Sequence, residues 1–165
     1  MKRILSLAIA FLCVFSLVGC GKEEAKVPNV PVKDIVTAIE GEFDLEGLME
    51  LDLTSEEMDE LSKSMIEGYG INPEDVEEGI IKCAMINLDA RELVILKAKD
   101  ESKIPDLTAA LEKRVETQLQ AFENYVVKNY EMVENHLLKT KGNYIILAIS
   151  EDVEKIDEIF ENTLK

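Results

Sequence analysis

Ile80-Ile81-Lys82-Cys83-Ala84-Met85-Ile86-Asn87-Leu88 and Leu93-Val94-Ile95-Leu96-Lys97-Ala98 are two largely apolar stretches near the middle of the chain. Both are rich in aliphatic residues, and Asp89-Ala90-Arg91 separates them. A connection this short predicts two strands paired as an antiparallel hairpin. The first stretch is apolar at successive positions, so we expect both of its faces to be buried in the middle of a sheet.

Helical patterns surround this hairpin. Apolar residues recur at helical spacing after Pro31, after a capping-box sequence that starts at Thr54, from Pro105 to Val126, and after Ser150. Residues 136–140 and 144–149 predict two further strands joined by Lys141-Gly142-Asn143. The order α-α-β-β-α-β-β-α therefore predicts an α+β domain in which helices pack on an antiparallel sheet of about four strands.

The first 20 residues have the layout of an export signal. Lys2 and Arg3 precede an apolar run over residues 4–18, which ends in Leu17-Val18-Gly19-Cys20. The run is too short for a spanning helix, which needs about 20 apolar residues. An ordinary secretory cleavage site needs a small residue at the third-last position, and Leu17 is too large for it.

Leu17-Val18-Gly19-Cys20 resembles the lipobox of bacterial lipoproteins at all four positions. The resemblance implies cleavage before Cys20 and a diacylglycerol thioether on its sulfur. We therefore predict three segments: a signal peptide over 1–19, a lipid-anchored tether over 20–31, and a single domain over 32–165. Cys83 would then be the one free thiol of the mature chain, and its apolar neighbours predict that it is buried.

The charge balance limits which classes of partner the protein can bind. The chain has 34 acidic and 18 basic residues, a formal net charge of −16. Phosphate backbones and anionic lipid headgroups repel such a surface, so nucleic-acid binding is excluded. The expected partners are the membrane, through the lipid on Cys20, and an envelope protein.

Motifs for catalysis, metals or cofactors are missing from the sequence. There is one histidine, His136, and it is distant from Cys83. The acidic clusters at 56–60 and 74–78 lack calcium-loop spacing and are interpreted as solvated faces. Phosphate-binding loops and a nucleophile elbow are also missing. The sequence thus predicts no catalytic residue, no metal and no cofactor.

One polar line could carry a ligand. Arg114, Gln118 and Tyr125 follow the rim of the longest apolar stripe, and Glu92 opens the second hairpin strand. Glu92 and Arg114 could form a structural ion pair. Alternatively, the four residues could form the polar floor of a shallow ligand pocket.

Several blocks resemble an uncharacterised bacterial lipoprotein family, the domain of unknown function 4358. They are Ala90-Arg91-Glu92-Leu93 running into Leu96-Lys97-Ala98-Lys99-Asp100, Ala110-Leu111-Glu112-Lys113-Arg114 with Gln118, Phe122 and Tyr125, Lys141-Gly142-Asn143-Tyr144, and Tyr69-Gly70-Ile71. The resemblance implies a single lipid-anchored domain outside the cytoplasm of a Gram-positive cell. It carries no catalytic or ligand residues to this chain.

These features predict a lipid-anchored, non-enzymatic binding or accessory module at the cell envelope. Two alternatives stay open at this stage. One is an envelope hydrolase that uses two carboxylates. The other is a structural or assembly protein that acts through a sheet edge.

Overall fold

A computed structural model describes residues 27–86 and 88–165. The predictions for the signal peptide, for Cys20 and for residues 20–26 of the tether lie outside the described residues. The described chain forms five α-helices: α1 (Val32–Glu40), α2 (Glu60–Gly68), α3 (Ile104–Phe122), α4 (Val127–Glu134) and α5 (Val153–Thr163). Its five strands are β1 (Met49–Asp52), β2 (Val76–Cys83), β3 (Glu92–Ala98), β4 (Leu137–Lys141) and β5 (Tyr144–Ile149).

The five strands form one sheet in the order β1-β2-β3-β5-β4, and every neighbouring pair is antiparallel. β3 lies in the centre, and all seven of its residues are buried. The α+β prediction is confirmed, with five strands rather than four. The additional strand is β1, whose four residues pair with β2 from Met49↔Cys83 to Asp52↔Ile80.

β2 begins and ends earlier than its sequence predicts. It ends at Cys83, which pairs with Glu92, and the chain from Ala84 onward forms the loop to β3. At the other end the strand continues through Gly79, where a Cβ atom would lie only 3.0 Å from the side chain of Leu96. Because Gly79 has no side chain, neighbouring side chains can pack directly against the backbone of β2. The strand therefore continues through Gly79.

Three helix ends also differ from prediction. Asp59, not Thr54, caps α2, since its carboxylate accepts the N–H of Ser62 at 2.7 Å. Asp152, not Ser150, caps α5 by accepting the N–H of Lys155. α3 ends at Phe122, before Val126, because Asn124 adopts a left-handed backbone with φ of 61°.

Helices cover both faces of the sheet. Alternate residues of β3 point to opposite faces: Val94 and Leu96 pack toward α2, α3 and α4, whereas Leu93 and Ile95 pack toward α1 and α5. This arrangement of three layers explains why β3 and β5 are apolar on both faces. Each buried aliphatic side chain contributes about 1.5–3 kcal/mol. None of the helices in the described residues combines the length and apolarity needed to cross a bilayer.

Residues 27–31 lie against the domain. The Tyr144 hydroxyl accepts the N–H of Val30 at 2.8 Å and donates to its carbonyl at 2.7 Å. Val27 packs beside Gly142, in the turn between β4 and β5. The Glu78 carboxylate accepts the N–H of Val32 and so caps α1. The last part of the predicted tether is thus fixed at one end of the sheet.

Candidate functional site

Glu92 is a buried carboxylate at the start of the central strand. Its side chain lies on the face covered by α3, and it is fully shielded from solvent. Arg114 and Gln118 are one helical turn apart on α3, and both reach this carboxylate. Arg114 Nη2 donates to Glu92 Oε2 at 2.7 Å, Arg114 Nε donates to both carboxylate oxygens at 3.1 Å, and Gln118 Nε2 donates to Oε2 at 2.9 Å.

Tyr69 and Cys83 extend this cluster. The Arg114 guanidinium carbon lies 4.6 Å from the centroid of the Tyr69 ring, a cation–π distance. The Tyr69 hydroxyl lies beside Cys83 but makes no hydrogen bond of normal geometry within the described part of the chain. Cys83 is 2 % exposed, as the sequence predicted.

The cluster shifts the pKa of its members in a consistent direction. Burial, reinforced by the negative charge of Glu92, raises the pKa of Tyr69 well above its ordinary value. Burial also raises the pKa of the Cys83 thiol. Burial alone would lower the pKa of Arg114, but its hydrogen bonds to Glu92 raise the pKa above the ordinary value. These three side chains therefore keep their protons at neutral pH.

The geometry is that of a structural ion pair. Both carboxylate oxygens are occupied by donors from α3, and a fully shielded carboxylate offers no free surface to a ligand. Tyr125 does not join the three residues with which it was grouped, because it lies beyond the end of α3 and is 64 % exposed. Of the four predicted residues, the structure brings together Glu92, Arg114 and Gln118.

Three members of the second acidic cluster form ion pairs. Lys97 is 4 % exposed in its side chain and donates to Glu77 at 2.6 Å and to Glu78 at 3.3 Å. Asp75 pairs with Lys103 at 2.8 Å. Glu74 and Glu77 are exposed, and Glu77 and Glu78 also pair with the buried Lys97 of β3, which the sequence does not locate.

In the described residues, no group of three or more His, Cys, Asp and Glu side chains could hold a metal ion. His136 places its Nδ1 atom 2.8 Å from the carbonyl oxygen of Val133. The His136 side chain therefore contacts the C-terminal end of α4.

An exposed apolar surface lies next to the buried ion pair. Asn129 Nδ2 donates to the carbonyl of Leu88 at 2.9 Å and joins α4 to the loop between β2 and β3. Within four residues of Leu88 or Asn129 in the sequence, five large apolar side chains are at least 60 % exposed. We call them the distal patch; they are Met85, Ile86, Leu88, Tyr125 and Val127.

A pocket of about 330 Å³ adjoins the distal patch. Phe122, Glu123, Asn124, Val127 and Tyr130 line it. Phe122 is buried and Val127 is 70 % exposed. The negative charge of Glu134, with a smaller contribution from Glu123, raises the pKa of Tyr130. The pocket therefore combines aromatic and aliphatic walls with one carboxylate, that of Glu123.

Sequence reasoning missed the distal patch for an identifiable reason. Met85, Ile86 and Leu88 were expected to continue the first hairpin strand, and Val126 was expected to extend α3. Both elements end earlier, so apolar residues that fit a core pattern are left exposed. The signal that could have revealed them is that the apolar run is longer than its partner strand, which begins only at Glu92.

Comparisons with known proteins identify one family. The model of a domain of unknown function, DUF4358, matches residues 49–150. The matched range runs from β1 to the residue after β5 and contains the Glu92 ion pair, both loops of the distal patch and the adjoining pocket. No curated protein and no solved structure matches the chain. Because the match covers more than half of the sequence, the protein belongs to the DUF4358 family.

Proposed function

We propose that this protein is a lipid-anchored accessory protein that binds an envelope partner outside the cytoplasm. The observation that carries the proposal is Leu17-Val18-Gly19-Cys20 at the end of an apolar leader. Acylation of Cys20 would hold the domain at the membrane, since each buried methylene contributes about 0.8 kcal/mol. Anchoring also raises the local concentration of the domain beside membrane partners, so that modest affinity is sufficient.

The surface of the domain supports binding as its role. Exposed large apolar side chains that lie together are typical of protein interaction sites. The distal patch has this composition, and the Asn129–Leu88 hydrogen bond joins the loop that carries Met85, Ile86 and Leu88 to helix α4. The buried ion pair between β3 and α3 supports the same end of the sheet. The exposed apolar patch and the ion pair that supports it therefore favour a binding role over hydrolysis by carboxylates.

The anchor is tested by replacing two cysteines of the leader region in parallel. Cys20→Ala should abolish incorporation of radiolabelled palmitate. The variant should accumulate as uncleaved or wrongly cleaved precursor that no longer fractionates with the membrane as the wild type does. Cys13→Ala is the matched control, because Cys13 lies within the apolar run, and it should be labelled and processed as wild type. Retention of the label in Cys20→Ala would refute the anchor.

The binding role is tested by crosslinking in intact cells that carry the tagged lipoprotein. We expect a stoichiometric protein partner that is lost in Cys20→Ala. Hydrolytic activity with no captured partner would instead favour the carboxylate hydrolase. Self-association in sedimentation experiments would favour assembly through a sheet edge, for which the short outer strand β1 is one candidate.

A further inference from the structure

We propose that the distal patch and its adjoining pocket dock a segment of an envelope protein that carries apolar side chains next to a lysine or arginine. This inference rests on the proposed binding role and names the surface and the chemistry of the partner. It is argued from the position of the patch in the fold, the walls of the pocket and the charge of the molecule.

The patch lies at the end of the sheet opposite to the entry of the anchored chain. Val27 packs on Gly142, beside the Lys97↔Tyr144 end of the β3–β5 pair, whereas the patch adjoins the Glu92↔Ile149 end. The six paired residues separate these two ends by about 17 Å. The chain therefore joins the domain at the Gly142 end, and the patch lies at the opposite end of the sheet.

The apolar side chains of the patch need an apolar partner. Met85, Ile86 and Leu88 are 61 %, 62 % and 60 % exposed, and Val127 is 70 % exposed. Covering such side chains stabilises a complex by roughly 25 cal/mol for each Å² of apolar surface removed from water. Methionine and tyrosine are enriched at protein interfaces, which is consistent with Met85 and Tyr125 in this patch.

The pocket beside the patch suits a cationic side chain. The half-buried ring of Tyr130 offers an aromatic contact, and the carboxylate of Glu123 lines the same pocket. A cation over an aromatic ring gains about 0.5–2 kcal/mol. Lys128, which follows Val127 in the sequence, pairs with Glu151 at 2.5 Å, so its charge is already balanced. The 330 Å³ volume accommodates the aliphatic stem of one lysine or arginine.

Charge selects this occupant over two others. A second copy would bring together two chains of net charge −16, and their repulsion opposes association through acidic surfaces. Anionic lipid headgroups are repelled for the same reason, although they would tolerate the apolar side chains. A basic protein segment is attracted to the same surface and its association is accelerated by the field.

The test places a photo-crosslinking amino acid in the full-length lipoprotein in its own membrane. It is introduced at Val127 and Leu88 in the patch and, as the control, at exposed Lys33 on α1. Two further pairs of variants are combined with the Val127 probe. Glu123→Lys is compared with Asp34→Lys, which makes the same charge change on α1. Leu88→Ser is compared with Leu61→Ser, which removes an exposed leucine of α2. Thermal unfolding confirms that each variant is folded.

The expected result is one protein crosslinked at both patch positions and not at Lys33. Mass spectrometry of the crosslink should map it to a segment with apolar residues beside a lysine or arginine. Glu123→Lys and Leu88→Ser should each reduce the crosslink yield at least fivefold, and their controls should leave it unchanged.

Four results would overturn the inference. They are a crosslink to lipid, a crosslink to a second copy, a crosslinked segment without a basic residue, and equal effects of the test and control variants. A partner that is captured only from Lys33 would leave the proposed binding role standing and reject this surface. Capture from no position, with Cys20 shown to be acylated, would reject both.

Discussion

Arg114 and Glu92 form a buried ion pair that joins the longest helix to the central strand, with Arg114 Nη2 only 2.7 Å from Glu92 Oε2. The carboxylate is completely shielded, while the guanidinium is 21 % exposed and lies over the ring of Tyr69. Such a pair is not itself a large source of stability, because removing two charges from water is costly. Breaking it, however, leaves an uncompensated charge in the interior.

The first prediction follows from this asymmetry. Arg114→Met should reduce the free energy of unfolding by about 3–5 kcal/mol, because Glu92 then keeps only the amide of Gln118 as a donor. The double variant Glu92→Leu with Arg114→Met should recover part of this loss. Urea denaturation of the purified protein measures both changes in the free energy of unfolding.

Lys113→Met supplies the control for this prediction. Lys113 adjoins Arg114 in sequence, and it is exposed and pairs with Glu116 on the same helix. Exposed pairs of this kind contribute about 0.3–0.5 kcal/mol. If Arg114→Met reduces the free energy of unfolding by less than 1 kcal/mol, the Glu92 carboxylate must be hydrated or paired with another group in the variant.

Two buried tyrosines make a second, contrasting prediction. The Tyr69 hydroxyl is buried without a hydrogen bond of normal geometry in the described chain, whereas the Tyr144 hydroxyl serves Val30 twice. Tyr69→Phe should therefore leave the free energy of unfolding unchanged or raise it by up to about 1 kcal/mol, since an unpaired buried hydroxyl is costly. The ring that supports Arg114 is retained. A decrease of more than 1 kcal/mol would reveal a hydrogen bond to this hydroxyl.

The third prediction concerns acid. Asp89 is partly buried, and burial would raise its pKa, but hydrogen bonds from the Arg91 guanidinium and backbone N–H hold the pKa below its ordinary value. A carboxyl whose pKa is lower in the folded protein binds its proton more readily after unfolding. Its contribution to stability is therefore present above about pH 4 and is lost as pH falls through the folded value.

Asp89→Asn isolates this contribution. The free energy of unfolding of the variant should lie about 1 kcal/mol below that of wild type between pH 5 and 7. This difference should shrink below pH 4. Asp34→Asn, on the exposed side of α1, controls for the loss of one negative charge. A difference between wild type and Asp89→Asn that stays constant down to pH 3 would contradict the assignment.

The sequence predicted the elements in which burial makes apolar residues recur with a regular spacing. The strands β3 and β5 and the apolar stripes of α3 and α5 were predicted because residues buried on both faces, or along one helical stripe, repeat in a recognisable way. β1 was missed because it has four residues and only Leu51 is buried. Alternation of apolar Met49 and Leu51 with acidic Glu50 and Asp52 was the available signal.

The candidate site divides along a similar line. That Glu92 and Arg114 might pair could be read from their types and from the helix rim, but complete burial of the carboxylate depends on which face of β3 it occupies. That face is set by the register with β2 and β5, which the sequence does not state. The distal patch depends on where two elements end, and helix and strand ends follow from local contacts such as the left-handed turn at Asn124.

The fourth prediction concerns how residues 27–31 are held against the rest of the domain. The Tyr144 hydroxyl is both donor and acceptor for Val30, and Tyr144 is 1 % exposed. Tyr144→Phe removes both hydrogen bonds and leaves the N–H and the carbonyl of Val30 unpaired. Residues 27–31 should then detach more readily, and the free energy of unfolding should fall by about 1 kcal/mol.

Hydrogen exchange measures this detachment directly. In Tyr144→Phe, the amide of Val30 should exchange at least tenfold faster, while the amides of β3 should be nearly unaffected. Tyr125→Phe, which removes an exposed hydroxyl, is the matched control and should change neither. If the Val30 amide keeps its protection in Tyr144→Phe, packing of Val27 beside Gly142 is sufficient to hold the segment. Faster exchange would show that the Tyr144 hydroxyl holds residues 27–31 against the domain.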